Sequence, residues 1–313
     1  MVRNEFGLPS ADGRTELHAV SWRPEGPVRA VLQISHGLGE HILRYDAFAE
    51  YLTAHGFAVI GHDHLGHGTS ISPDGARLWF GPKGSWSWLS QDLYTLRRAA
   101  ETLSAGTPCF LLGHSMGSFL ARSFLIRYPG TVNGTILTGT GQPSAALLRL
   151  GQALLAEEGA RLGERSVSPL ATALAFGSYN RPFAPNRTAY DWMSASEENI
   201  DTFLVSPLCG GTPTIGLLRE MLAGLREIGD PANLRKMNRN TPVLLLSGDA
   251  DPVGDMGKGV ERVKRAFCRA GMRDVNAALY PGLRHEILNE RERRAVYADI
   301  LHWMESRMGR QAV

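Results

Sequence analysis

Residues 113 to 117 read Gly113-His114-Ser115-Met116-Gly117, and they stand between two segments of different pattern. The segment before them, residues 108 to 112, is short and apolar, which is typical of a strand buried on both faces. The segment after them, residues 118 to 128, has apolar residues at helical spacing and stops before Pro129. The stretch therefore predicts a strand, a tight turn and a helix in direct succession.

A strand-turn-helix with the pattern G-x-S-x-G at its apex is typical of a nucleophile elbow. The turn strains the backbone of Ser115, and glycines at positions 113 and 117 let the strand and the helix approach closely. The product is a serine hydroxyl at the carboxyl edge of a sheet. The pentapeptide alone also fits a glycine-rich turn whose serine caps a helix, and the flanking strand and helix favour the elbow.

Length and composition limit the class of protein. A chain of 313 residues fits one large α/β domain that carries an insertion. Thirty-three basic and 31 acidic residues give a net charge of +2 without a long run of one sign. This balance does not indicate a nucleic-acid or anionic-membrane footprint. We therefore expect small-molecule partners and no nucleic acid. The sequence does not determine the oligomeric state.

The cysteines and the amino terminus bear on location. Cys109, Cys209 and Cys268 are odd in number and form no C-x-x-C motif, so a disulfide framework is not indicated and a reducing compartment fits best. The amino terminus lacks an apolar core of signal-peptide length, and no apolar run reaches about 18 residues. We expect a soluble, cytoplasmic protein with no transmembrane segment.

Strand and helix patterns alternate along most of the chain, which indicates an α/β fold with a mostly parallel central sheet and helices on both faces. A turn signal between the first two strands suggests an antiparallel start to the sheet. The predicted strands are residues 16 to 23, 30 to 36, 57 to 60, 108 to 112, 135 to 139, 243 to 247 and 275 to 280. The predicted helices are about 42 to 55, 86 to 104, 118 to 128, 257 to 270 and 289 to 308.

The alternation breaks between residues 141 and 236. Amphipathic helical pieces there are interrupted by prolines, and no segment has the pattern of a buried strand. We interpret residues 141–236 as a helical cap, or lid, inserted into a core formed by residues 1–140 and 237–313. The apolar face of such a cap can cover a substrate, although most of its leucines also fit simple packing on the core.

An elbow serine needs two partners, because its hydroxyl is a poor nucleophile until an imidazole takes the proton and a carboxylate orients that imidazole. In this fold the partners follow the serine in the order acid, then histidine, on loops after later strands. Asp251 and His285 occupy such positions. Asp249 and Asp255 compete for the acid role, and Asp251 is preferred because Pro252 can shape the loop around it.

A serine hydrolase also needs two backbone N–H donors for the negatively charged oxygen of its tetrahedral intermediate. One comes from the residue after the nucleophile and the other from the loop after an earlier strand. These positions are Met116 and Leu38, and glycines on both sides of Leu38 allow its loop to turn the amide toward the site. We therefore predict an oxyanion hole at these two amides.

The remaining histidines allow a metal interpretation. His62, His64 and His67 cluster with Asp63 in sequence, but a metallohydrolase would need further ligands at compatible spacing, and His285 does not begin an H-E-x-x-H motif. We interpret this loop as hydrogen-bonded scaffolding. The prediction is that no metal and no cofactor takes part.

Five motifs carry a resemblance to a known family. They are His36-Gly37-Leu38-Gly39-Glu40-His41, residues 63 to 70 (Asp-His-Leu-Gly-His-Gly-Thr-Ser), residues 113 to 117, Gly248-Asp249-Ala250-Asp251, and His285. In this order they resemble the serine hydrolases of the α/β-hydrolase superfamily, and within it the monoacylglycerol lipase and lysophospholipase branch. The resemblance implies the α/β-hydrolase fold and hydrolysis of a carboxylic ester with an apolar acyl chain through an acyl-enzyme. It also implies that the acid is Asp251.

Two other functions remain open at this point. The same triad could act on a small non-lipid ester, a lactone or a peptide, because the fold hosts many chemistries. A binding scaffold with an inactive site is the non-enzymatic alternative. Acyl length and head group are not determined by the sequence.

Overall fold

The computed structural model describes residues 1–73 and 75–308. Short apolar runs form the strands of one sheet, and several of these strands are buried along their whole length. In the described part of the chain the strands are β1 Val2–Pro9, β2 Glu16–Arg23, β3 Ala30–Ser35, β4 Phe57–His62, β5 Cys109–His114, β6 Gly134–Thr138, β7 Val243–Gly248 and β8 Val275–Tyr280.

The strands are arranged in the order β1-β2-β4-β3-β5-β6-β7-β8. From β4 to β8 all neighbours are parallel, and β1 and β2 add an antiparallel edge. The predicted α/β class, the mostly parallel sheet and its antiparallel start are confirmed. Because parallel strands end at one edge, the segments after β3, β5, β7 and β8 meet at the same side of the sheet.

Helices follow most strands. In the described residues the α-helices are α1 Asp46–Ala54, α2 Trp86–Leu103, α3 Met116–Arg127, α4 Ala145–Leu162, α5 Pro169–Phe176, α6 Glu197–Val205, α7 Ile215–Gly229, α8 Pro231–Leu234, α9 Lys258–Ala270 and α10 Arg293–Met308. Three 3-10 turns add Ile42–Tyr45, Arg181–Phe183 and Asp191–Met193.

The two faces of the sheet bury different side chains, as the period of two along a strand requires. In β5, Leu111 faces a core shared with Phe119 and Phe124 of α3. Its neighbours Phe110 and Leu112 face the opposite core, which contains residues of α1 and α10. The sheet is therefore covered by helices on both faces, as predicted.

Strand β1 is not among the predicted strands. It pairs with β2 along its whole length, yet most of its residues are exposed, so it carries no run of apolar residues for a pattern to detect. Strands β2 and β3, predicted as successive, do not pair with each other because β4 lies between them.

Helices α4 to α8 lie between β6 and β7, where the strand pattern breaks. Leu148 and Leu155 of α4 and several leucines of α7 pack into the core that contains α3. By contrast, Leu150 of α4 and Leu170 of α5 are about 60% exposed. Some leucines of the insertion therefore pack on the core, while the covering of a substrate and the division at residues 141 and 236 stay predictions.

A buried arginine lies where the insertion joins the core. Arg122 of α3 donates to the carbonyl of Gly141 at 2.9 Å, to the side chain of Gln142 at 2.7 Å and to the carbonyl of Ile228 at 3.2 Å. Burial lowers the pKa of Arg122 to about 9. The chain leaving β6 and the end of α7 are therefore joined at one side chain below the elbow.

The tight elbow generates a stability prediction. A Cβ at Gly117 would overlap the carbonyl oxygens of Ser35 and His36 at the end of β3. We expect Gly117→Ala to lower the free energy of unfolding by about 1–3 kcal/mol, because overpacking forces the backbone to move. Urea unfolding measures the change. Gly26→Ala is the matched control, since a Cβ there meets nothing within 4 Å; equal losses in both variants would contradict the close approach.

Candidate active site

Ser115 lies at the turn between β5 and α3. Its backbone has φ 52° and ψ −121°, a conformation that side-chain-bearing residues rarely adopt. Its N–H donates to the carbonyl of Thr138 in β6 at 2.9 Å. The side chain is half-buried and makes no capping hydrogen bond to α3. This geometry is that of a nucleophile elbow, and it leaves the hydroxyl available for chemistry.

His285 and Asp251 form a buried pair on the loops after β8 and β7. Nδ1 of His285 lies 3.0 Å from Oδ2 of Asp251, and the two side chains are 2% and 0% exposed. Burial alone would lower the pKa of His285, but the charge and hydrogen bond of Asp251 outweigh it and raise that pKa. The imidazole is therefore oriented by a carboxylate through Nδ1, and within the described residues its Nε2 makes no hydrogen bond.

Asp251 is fixed in turn by its own loop. Oδ1 accepts from the N–H of Val253 at 2.9 Å, and Oδ2 lies 3.2 Å from the hydroxyl of Ser247. The competing carboxylates lie elsewhere: Asp249 accepts from the N–H of Gly282 at 2.8 Å, and Asp255 pairs with an exposed arginine. Of the three candidates, the structure brings Asp251 to His285.

His285 lies next to the residue that precedes Ser115. The ring centroids of His114 and His285 are 4.7 Å apart. Nδ1 of His114 lies 3.1 Å from Oγ1 of Thr138, the residue whose carbonyl accepts from Ser115. Burial, together with the neighbouring His285, lowers the pKa of His114 to about 4. The ends of β5 and β6 thus carry both the elbow and the surface on which His285 packs.

The predicted oxyanion amides flank the elbow. Met116 begins α3, and the loop that carries Leu38 passes so close that a Cβ at Gly37 would lie 3.2 Å from Cβ of Ser115. Within residues 1–73 and 75–308, neither the Leu38 nor the Met116 amide donates to a protein acceptor. Two backbone donors near the serine are therefore free, and their role in catalysis stays a prediction.

The loop after β4 is organised by Asp63. Its Oδ1 accepts from the N–H of Ile42 at 2.8 Å, and Oδ2 accepts from the N–H of Thr69 at 3.0 Å and lies 3.1 Å from Nδ1 of His18. These bonds connect the loop to β2 and to the segment after β3. This arrangement agrees with the interpretation of the loop as scaffolding.

The histidines of this loop are buried and uncharged. Burial, reinforced by His36, lowers the pKa values of His62 and His67 to about 3. The rings of His36 and His64 pack with centroids 4.3 Å apart. Over the described ranges, no three His, Cys, Asp or Glu side chains are arranged to bind a metal ion.

Several site residues escaped the sequence analysis. Trp192, in a 3-10 turn of the insertion, packs its ring 5.1 Å from that of His285, and Tyr179 lies 5.1 Å from Trp192. Burial raises the pKa of Tyr179 to about 12.

Arg44 forms ion pairs with Glu40 and Glu286, and both carboxylates are adjacent to predicted site residues. Of these three residues, only Glu40 lies within a motif of the sequence analysis. Arg44 and Glu286 are distant in sequence, so no local pattern indicated their pairing.

No helix in the described portion of the chain combines the length and the apolar character needed to cross a bilayer.

Comparison with known proteins places this geometry in context. The family described as "Serine aminopeptidase, S33" matches residues 26–292. A monoacylglycerol lipase of Mycolicibacterium smegmatis is 28% identical over 98% of this chain and 99% of its own length. A monoglyceride lipase of Mus musculus is 28% identical over 96% and 88%. The structure of a thermostable carboxyl esterase from Bacillus coagulans, solved with glycerol, has a TM-score of 0.91 and 27% identity, covering 98% of this chain and 99% of that one.

The Asp63 loop generates a pH prediction. Hydrogen bonding to Asp63, with a further contribution from Glu5, raises the pKa of His18 from 6.5 to about 9. Because the folded pKa exceeds the unfolded one, this contribution to stability is complete below about pH 6.5 and is lost as pH rises through about 9.

Urea unfolding of the wild type and His18→Gln across that range tests the prediction. We expect the difference in unfolding free energy between the two proteins to shrink as pH rises. His302→Gln, at an exposed position on α10, is the control and should leave the wild-type slope unchanged. A difference that stays constant with pH would refute the role of His18.

Proposed function

The chain belongs to the serine aminopeptidase S33 family of hydrolases, and on this basis we propose that it hydrolyses carboxylic esters with an apolar acyl chain, using Ser115, His285 and Asp251. The observation that carries the proposal is the buried Asp251–His285 pair packed beside the strained Ser115 turn. A serine, an imidazole and a carboxylate arranged in this order are the groups that catalyse acyl transfer in serine hydrolases.

The proposed mechanism gives each of these residues one role. Oγ of Ser115 attacks the ester carbonyl while Nε2 of His285 accepts its proton, and Asp251 stabilises the imidazolium through Nδ1. The amides of Leu38 and Met116 donate to the negatively charged oxygen, each contributing about 10²- to 10³-fold in rate. His285 then gives the proton to the leaving alcohol, and a water activated by the same imidazole releases the acid from the acyl-enzyme.

An apolar acyl chain is supported by the insertion and by the relatives. The insertion places the aromatic rings of Trp192 and Tyr179 over the His285 side of the site. Its helices α4 and α5 also leave large apolar side chains at least half exposed, as at Leu150 and Leu170. The relatives named monoacylglycerol lipase and monoglyceride lipase span nearly the whole chain. We therefore propose a lipid monoester, with monoacylglycerol as the first substrate to test.

The family description makes peptide hydrolysis the second candidate. An aminopeptidase needs a free carboxylate near the nucleophile to bind the ammonium group of its substrate. Glu40 lies in the loop that carries Leu38, residues 36–41, here called the oxyanion loop, and Glu286 directly follows His285. Both carboxylates are already ion-paired with Arg44 at 2.7 Å. This pairing favours an ester over a peptide.

The nucleophile is tested by Ser115→Ala. We expect hydrolysis of a p-nitrophenyl ester to fall at least about 10³-fold, because the substitution removes the hydroxyl proposed to attack the ester carbonyl. A fluorophosphonate probe should label the wild type and fail to label the variant. Ser87→Ala, which alters a partly buried serine in the first turn of α2, should keep both activity and labelling. Wild-type turnover by the Ser115 variant would reject the assignment.

The substrate is tested by a hydrolysis panel. Monoacylglycerol, lysophosphatidylcholine, p-nitrophenyl esters of increasing acyl length, a lactone and an aminoacyl p-nitroanilide are compared by kcat/KM. We expect monoacylglycerol and esters of medium or long chain to be preferred, since each methylene bound in an apolar site adds to transition-state binding. Preference for the anilide, the lactone or the shortest ester would contradict the lipid proposal.

A further inference from the structure

A cluster of buried charges lies behind the site, outside the catalytic triad. It consists of Arg44 in the 3-10 turn after β3, Glu40 in the oxyanion loop, Glu286 directly after His285, and Asn199 in α6 of the insertion. Their side chains come from three separate segments of the chain, since Arg44 and Glu286 are 242 residues apart. The guanidinium of Arg44 therefore contacts all of these segments.

The hydrogen bonds of the cluster are short and use both Nη nitrogens of Arg44. Nη1 donates to Glu40 at 2.7 Å and to Glu286 at 2.7 Å, and Nη2 donates to the other oxygen of Glu286 at 2.7 Å and to Asn199 at 3.0 Å. The amide of Asn199 returns a bond to Glu286 at 2.7 Å. The Arg44–Glu286 pair is bidentate, which is the geometry that fixes orientation best.

On one side the cluster is hydrogen-bonded to the oxyanion loop. Oε1 of Glu40 accepts from the N–H of Gly37 and, at 3.0 Å, from the hydroxyl of Tyr45. Gly37 directly precedes Leu38, whose amide is one of the two proposed oxyanion donors. A change in the position of Glu40 would therefore rotate the peptide that carries this donor.

On the other side the cluster controls the His285 segment and the insertion. Glu286 is the residue after His285, and its N–H donates to the carbonyl of Met193 at 2.7 Å. The guanidinium of Arg44 also lies 5.1 Å from the ring centroid of Phe203 in α6. The segments that carry the imidazole and the oxyanion amide, together with α6, are thus all linked to the guanidinium of Arg44.

The charged side chains of the cluster are buried and do not lie on the surface. The side chains of Arg44, Glu40 and Glu286 are 8%, 3% and 3% exposed. Desolvation works against all three charges, but Arg44 outweighs it and lowers the pKa values of Glu40 and Glu286, while the two carboxylates raise that of Arg44. Buried ion pairs add little net stability compared with apolar packing, so stability alone does not account for this cluster.

We propose that the Arg44–Glu286 pair, extended through Glu40, is a positioning device that sets the spacing between the His285 imidazole and the Leu38 oxyanion amide and couples both to α6. This inference rests on the proposed function. Arg44 and Glu286 touch no reacting atom, so they act through the groups they hold.

The charges around His285 provide a readout that a merely structural role would not move. His285 faces Asp251 from the β7 loop, His114 from β5, Glu286 from its own segment and Glu40 from the oxyanion loop. After Asp251, the negative charges of Glu286 and Glu40 contribute to the raised pKa of His285. Removing the charge of Glu286 therefore lowers the pKa of His285, whereas a lysine at position 44 preserves the charge balance.

Two variants separate geometry from charge, with p-nitrophenyl acetate as the substrate because it is too short to depend on the insertion. For Glu286→Gln we expect kcat to fall about 10- to 100-fold with KM little changed, since a small misplacement of catalytic groups has this effect. The acidic limb of its pH–kcat/KM profile should move to lower pH. For Arg44→Lys, which cannot donate in bidentate fashion, we expect a similar fall in kcat with the limb unmoved.

Asp274→Asn is the control for loss of a partly buried ion pair. It breaks the pairing with Arg307 at 3.1 Å next to the first residue of β8, at the edge of the sheet opposite the site. Thermal unfolding is measured for all variants. We expect the control to lose stability without a change in kcat or in the pH limb.

The outcomes distinguish this inference from the proposed function. Turnover that survives Ser115→Ala would reject the function itself. A wild type that depends on Ser115, with wild-type kcat and pH limb in folded Glu286→Gln or Arg44→Lys, would overturn the positioning role alone. If Glu286→Gln does not fold, the kcat of Arg44→Lys decides the question, because that variant keeps the charge.

Discussion

The backbone of Ser115 is the constraint on which the rest of the site depends. A residue with φ 52° and ψ −121° stores strain of about 1–3 kcal/mol, and the surrounding packing must maintain it. The bond from its N–H to Thr138 fixes the turn against β6, and Gly117 lets the start of α3 press against the carbonyls at the end of β3. Strands β3, β5 and β6 therefore meet at the turn, and the oxyanion loop leaves β3 beside it.

Charge is placed around this turn at a cost in desolvation. Asp251 and His285 are almost fully buried, and so are Glu40, Arg44 and Glu286. Each carboxylate is matched by a cation or by several N–H donors, which is the condition under which buried charge is tolerated. The neutral histidines at positions 62 and 67 add polar groups without adding charge. Hydrogen bonds between such buried groups are stronger than they would be in water.

The sequence predicted those parts of the molecule that depend on local pattern. Buried strands such as β5 and β7 are continuous apolar runs, and the elbow has a fixed spacing, so both were visible. Asp251 and His285 contact each other as their positions after β7 and β8 suggested, although their catalytic roles stay predictions. Strand β1 was missed because its partner, not its own composition, makes it a strand. The pairing of Arg44 with Glu286 was missed because its members are distant in sequence.

The bonds of Arg122 have a consequence for how the fold can vary. The guanidinium lies in α3, after Ser115, and it contacts both the segment that leaves the sheet at Gly141 and the one that returns at Ile228. Arg122 thus holds the two ends of the intervening chain together beside the sheet. Because β6 and β7 pair directly on either side of this segment, a change in its length or shape leaves the strand order as it is. The same sheet can therefore carry covers of different shape, and each shape can admit a different molecule.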